Sequence, residues 1–499
     1  LIPSLNHQPR VQSSLLGSEI SMSRKVSAEP ELPVCAHTKL VVNPSPHAAD
    51  AGYKRLTPGC FAASAVHSLT QGKKRKRTFG VPTEPETPAA TTFPAPLVLP
   101  GDELSYDPEY PAQSLTEWIS EEERNAVTPR RRTIYLAAPP QVAPDMSLMA
   151  TWSKAQHAAL LPEGSASKLD LGNWGLSPNT AEVLEYLAAF YHGLPVKLLQ
   201  PGLEFAAWDG DSAHTHSSKS RFRHAPPTYV GLVASEECTR IRTRVSRDGL
   251  FARQLNLDDL LDAAISMLPK DAYALLLLVD QDIYENEDDD FACGRAYGGS
   301  RVAVISVARY NPQLDAIQSV ERVHAWPASH CLNYVEHLCA VTAGTQRRGK
   351  AKKLATNSGG IANDESTAPL ASRSALRQAV TAHNLLPSLE TDTTPATLSG
   401  LWLGRVCRTA SHELGHCLGI DHCVYYACSM QGTASLMEDG RQPPYLCPVD
   451  LAKVLQATGS SARERYQALL AYCDKRADVH LFAAFSAWLR VRQQELNGS

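Results

Sequence analysis

The stretch HELGHCLGIDH, residues 412–422, constrains this chain more than any other. His412 and His416 are four residues apart, so on a helix both imidazoles leave the same face. Gly419 can take a left-handed conformation and end that helix. The reversal brings His422 back toward the other two rings. Glu413 sits beside them, placed to take a proton from a water at an open position. Three protein ligands with one position open make a catalytic zinc site, whereas a structural site is closed by four. The plain alternative is a polar helix whose histidines are merely satisfied. The intact Glu413 weighs against a purely structural metal, which has no use for an uncoordinated carboxylate there.

The next residues narrow the reading. The chain continues as HCVYYACSMQG from His422, and LCPVD follows at 446–450. These supply Cys423, Cys428, Met430, Cys447 and Asp450. Together with the histidine motif they resemble the archaemetzincins, a branch of the metzincin metallopeptidases. Weaker resemblance extends in pieces upstream, at 131–140, 191–199, 268–284 and 298–312. The resemblance implies an α/β (α+β) zincin-like catalytic domain: a mixed twisted β-sheet packed with helices, one of them the active-site helix. It also implies a zinc-dependent peptidase with Glu413 as general base, and Met430 in a tight turn, aided by Gly432, flooring the metal. Taken alone, a methionine is more often core filler.

The same family uses four cysteines for a second, structural zinc, and here the chain departs, because Asp450 stands where the fourth cysteine belongs. Three thiolates and a carboxylate can still hold zinc, though more weakly, since thiolate is the softer donor. Cys407, Cys417 or Cys473 could substitute, or the three cysteines could simply be buried and reduced.

Hydrophobic residues make up 43% of the chain, enough for one good core. Of the 34 prolines, 18 fall in the first 140 positions, so residues 1–128 read as a largely disordered, Pro-rich arm. Within it, KKRKR at 73–77 is either an import or nucleic-acid patch or a solvated basic run. A short helix is expected within 113–126, started by Thr116 or Ser120. Folded material is expected from 129 to 343. β-Branched and apolar runs suggest strands at 132–138, 228–234, 272–279 and 301–310, and helical spacing suggests helices at 179–192, 256–271 and about 315–343. Asn179 and Asn256 are the natural caps for two of these. This alternation predicts an α/β layer with a mixed sheet. The acidic run 280–290 lacks the glycine of an EF-hand and reads as a solvated loop. His214 and His216 read as loop histidines. Residues 344–397 read as a low-complexity insertion with little packed structure. Residues 398–499 then hold the metal helix, expected from Ser399 to Leu418 with Leu401, Trp402, Val406 and Leu414 buried, followed by helices at 461–473, capped by Ser460, and 478–496.

The expected partner is a peptide or protein substrate, lying extended along a sheet edge above the metal helix. Endopeptidase and aminopeptidase-type cleavage both fit. The net charge of -4 gives no pull toward nucleic acid or an anionic membrane, and no apolar run is long enough to span a bilayer. No signal-peptide pattern is visible and the cysteines suit a reducing compartment, so the cytoplasm is expected, with KKRKR allowing the nucleus. The competing class is a zinc-stabilised binding protein with little or no turnover.

Overall fold

The structure is a computed structural model that describes residues 37–66, 89–122, 124–156, 177–208, 227–349 and 373–498. KKRKR, His214 and His216 lie outside these residues.

The run Ala272–Val279 is apolar at nearly every position because it is covered on both faces, and all eight residues are buried. It is the central strand of a five-stranded sheet in the order Gly294–Tyr297, Val302–Ser306, Ala272–Val279, Thr133–Ala137, Val196–Leu198. Neighbours are parallel except Gly294–Tyr297, which pairs antiparallel at one edge. Alternate side chains of the central strand divide between two cores. Ala274, Leu276 and Leu278 pack with Val406, Ala410 and Leu414 of the metal helix. Leu275, Leu277 and Val279 pack with Leu260, Leu261 and Ala264 of helix Leu257–Ser266. Strand periodicity therefore anchors the metal helix directly to the sheet. A second, six-stranded sheet includes the antiparallel pair Tyr229–Ala234 and Glu237–Arg244. The mixed α/β architecture is as expected.

Two expected caps are present: the Asn179 side chain accepts from Ala181 N and that of Asn256 from Asp259 N. Elsewhere the local reading shifts. The early helix is Leu115–Ser120, capped by Ser114 in a reciprocal pair with Glu117, a capping box that neither Thr116 nor Ser120 provides. Ser461, not Ser460, caps helix Ala462–Asp474 in the same way. The helix expected from about 315 starts only at Leu332, because Pro312 and Pro327 punctuate a series of short 3-10 turns before it. Within the acidic run, Asp282 is fully buried on a short strand and paired with Arg309 at 2.5 Å, so that part is core and not solvated loop.

The largest departures lie in the segments expected to be loose. Residues 37–66 and 89–122 carry four short helices. Phe93, Leu97, Val98 and Leu99 are buried, with the Phe93 ring against Tyr426, Tyr445 and Trp488. Extended, proline-spaced chain has no period to read, yet its apolar side chains still fill a groove. Likewise, within 344–397, Ala375–Asn384 forms a helix whose Ala375 and Ala379 join the main core. Among the described residues, no helix is long and apolar enough to cross a membrane.

Candidate metal centre and its surroundings

The metal helix runs Pro395–Cys417, with the Thr394 side chain accepting from Thr397 N and Pro395 in its first turn. Leu401, Trp402, Val406 and Leu414 are buried, as expected. The helix ends where Gly419 adopts φ +75°. Gly419 N donates to His416 O at 2.9 Å and Ile420 N to Gly415 O at 3.1 Å, the paired bonds of a Schellman ending. This reversal carries His422 back over the helix. One ring nitrogen from each of His412, His416 and His422 lies within 4.8 Å of the others.

Each imidazole is held from behind. His412 Nδ1 meets Ser429 O at 2.7 Å, His416 Nδ1 meets Ile420 O at 2.7 Å, and His422 Nδ1 meets Glu103 Oε1 at 2.9 Å. Carbonyl and carboxylate partners make Nδ1 the protonated nitrogen, leaving Nε2 of each ring as the free donor. Burial holds His412 down to about 4 and His416 well below the usual histidine range, so both are neutral at physiological pH. Burial pulls His422 the same way, but the Glu103 carboxylate outweighs it and the net shift is upward. Neutral imidazoles with converging Nε2 atoms are the donor set that zinc takes. These residues fit the ion.

Glu413 is buried at 8% exposure, and among the described residues no hydrogen bond or ion pair engages its carboxylate. Burial pushes its carboxyl up to about 7. Met430 is fully buried beneath the histidines. A Cβ on Gly415, one residue before His416, would collide with its sulfur, so the methionine lies directly on the helix backbone. Gly432 has a role apart from the turn: a Cβ there would overlap both His422 Nδ1 and Glu103 Oε1.

A second cluster lies a few residues away. Cys423, Cys428, Cys447 and Asp450 are all buried, with one donor atom of each within 4.8 Å of the rest. The cysteines carry free thiols. Asp450 Oδ2 is 3.3 Å from Cys428 Sγ and 3.4 Å from Cys447 Sγ, while Oδ1 accepts from Lys453 Nζ at 2.9 Å. The aspartate thus turns one oxygen to the thiols and the other to a buried cation. Cys407, Cys417 and Cys473 belong to no such group among the described residues; Cys407 Sγ instead contacts Tyr472 Oη at 3.7 Å.

Sequence reasoning missed Glu103, Gln113 and Lys453. Gln113 joins the two clusters: its Oε1 accepts from Lys453 Nζ at 2.9 Å and from Asp421 N at 3.2 Å, and its Nε2 donates to Gly419 O at 3.0 Å. Glu103 and Gln113 are single acidic or amide residues in an aperiodic stretch and Lys453 is one lysine on helix Pro448–Thr458, so none carries a local signal that could have found it.

The family model described as Peptidase family M54 matches residues 383–456, the span that holds both clusters. Archaemetzincin-2 of Homo sapiens is 24% identical over 412 residues, covering 82% of this chain and 81% of that protein. Archaemetzincin-2 of Mus musculus is 43% identical over 77 residues, 15% of this chain and 21% of that one. Among solved structures, archaemetzincin from Methanopyrus kandleri aligns at 16% identity over 67% of this chain and 98% of that one, with a TM-score of 0.28. The class these relatives define is the zinc metallopeptidases, and this chain is one of them. More narrowly, the relatives it resembles over most of its length are archaemetzincins.

Proposed function

We propose that the chain hydrolyses peptide bonds with one zinc held through Nε2 of His412, His416 and His422, and with Glu413 as general base. The observation that carries this reading is the convergence of three imidazoles, each tied at Nδ1, beside a buried carboxylate that no hydrogen bond or ion pair engages among the described residues. Zinc, when bound, supplies Lewis acidity that polarises the scissile carbonyl and makes a water easier to deprotonate near neutral pH. Glu413 takes the water's proton and later delivers it to the leaving amine.

The substrate class is peptide or protein, bound extended along a sheet edge. The edge strand Gly294–Tyr297 is the best candidate, because it pairs on one side only and Gly298, just beyond it, packs against His416 O. A second, structural zinc belongs at Cys423, Cys428, Cys447 and Asp450. The tight set of buried donors supports it. Met430 serves as the apolar floor that keeps the histidine helix from shifting.

Glu413→Gln tests the reading. It should keep the zinc that depends on His416 and lose cleavage of a fluorogenic peptide library, by about 100-fold or more for loss of a general base. Cleavage at the parent rate would remove Glu413 from the chemistry. A parent that retains its zinc and cleaves nothing in the library would favour the binding-protein alternative.

A further inference from the structure

We propose that Glu103 is a positioning residue for the metal centre: it fixes the ring of His422, and the segment 102–122 that carries it is a strap holding the third ligand in register. This rests on the reading of the histidine trio as a zinc site.

His412 and His416 need little help. They sit on a regular helix, and their Nδ1 partners are carbonyls within twenty residues of them in sequence. His422 is different. It lies on irregular chain beyond the Schellman ending, so no helix rotamer aims it. Its Nδ1 partner is a carboxylate 319 residues earlier. The loop beneath it is tied down by the same region. Trp118 Nε1 donates to Leu418 O at 2.9 Å, Gln113 bridges Gly419 O and Asp421 N, and Tyr53 Oη donates to Val424 O at 2.8 Å. The Tyr110 ring lies 5.7 Å from the His422 ring, tilted across it. Backbone from Leu418 to Val424 is therefore held by side chains that precede the first strand of the catalytic sheet.

Glu103 is itself fixed. Its backbone N–H donates to the buried Glu438 Oε2 at 2.9 Å, which also accepts from Ala434 N at 2.8 Å. Asp102 next to it caps back onto Leu99 N and pairs with Arg441. The bare Cα of Gly432 leaves the gap through which Glu103 reaches His422. Three independent features, the carboxylate, its anchored backbone and the glycine gap, thus converge on one ring nitrogen. A carboxylate on Nδ1–H sets the tautomer and makes Nε2 the better donor.

The test is zinc affinity of the full chain, measured by competition with a chromophoric chelator, alongside urea unfolding of the metal-free protein. Glu103→Ala should weaken the His416-dependent zinc about 10–100-fold, the range for removing such an outer partner, while the metal-free unfolding midpoint stays near the parent's. Glu103→Gln, isosteric and still an acceptor, should recover part of the loss and covers the case in which alanine does not fold. Gly432→Ala should behave like Glu103→Ala, because the new methyl displaces the carboxylate. Parent-like zinc affinity in Glu103→Ala overturns the proposal. So does an affinity loss that tracks lost metal-free stability and that Glu103→Gln shares in full, since that marks a merely structural residue. The underlying reading fails separately, and takes the proposal with it, when His416→Ala leaves the parent's zinc content unchanged.

Discussion

Trp118 decides whether the residues before the first strand are a loose arm or part of the catalytic fold. Its indole is 1% exposed in the main core, its Nε1 donates to Leu418 O at 2.9 Å, and the Arg124 guanidinium covers its ring at 4.1 Å. Trp118→Ala removes a fully packed aromatic, which costs about 3–5 kcal/mol. It also deprives the carbonyl at the end of the metal helix of this donor, adding about 1–3 kcal/mol if no water replaces it. Partial collapse of the site trims the sum to about 4–6 kcal/mol, a large share of the roughly 5–15 kcal/mol that holds a folded domain together. Trp118→Phe keeps most of the ring and drops mainly the donor, so about 1–3 kcal/mol is expected. Urea unfolding of the metal-free protein measures both, provided the slope against denaturant stays constant. A side chain on a loose arm would cost under about 0.5 kcal/mol. Both variants unfolding within that margin of the parent would refute the assignment of residues 115–120 to the core.

Metal analysis of the parent should find two zinc ions; Cys428→Ser should lose one and keep the His416-dependent one, and a parent with one zinc would retire the second site. The fold should also lose stability in mild acid through a histidine cluster remote from the metal. His383, buried beside His480 with ring centroids 5.1 Å apart, is held by burial down to about 4, and burial lowers His37 and His480 as well. A histidine kept neutral in the native state binds its proton only on unfolding, so its stabilisation is complete above the unfolded pKa of about 6.5 and is lost as pH falls toward 4. At pH 5 the His383 share is about 2 kcal/mol. Unfolding of the parent and of His383→Leu at pH 7 and pH 5 checks this: the parent should lose about 2 kcal/mol more than the variant between the two, and equal losses would exclude His383 as the source.

The metal helix, its glycine ending and the three histidines were legible because their signal is local. Four-residue spacing on a helix and a left-handed glycine require no knowledge of the rest of the chain. The strands 272–279 and 229–234 and the caps Asn179 and Asn256 were legible for the same reason. Reading failed where packing is not periodic. The proline-spaced stretch around Phe93 has no repeat to detect, and the run 315–331, helical by spacing, is broken into short turns around Pro327. The departure at Asp450 was visible in the sequence, but its consequence was not. Lys453 occupies one carboxylate oxygen and the other faces the thiols, an arrangement that depends on how helix Pro448–Thr458 docks.

Sequence by itself determined which residues could grip a metal and where the helix carrying them must stop, because those properties follow from spacing and backbone conformation within a dozen residues. Tertiary structure alone decided what stands behind each ligand. Glu103, Gln113 and Lys453 act through contacts spanning hundreds of positions, and a pairing of that length leaves no mark on either residue's neighbours until the chain has folded.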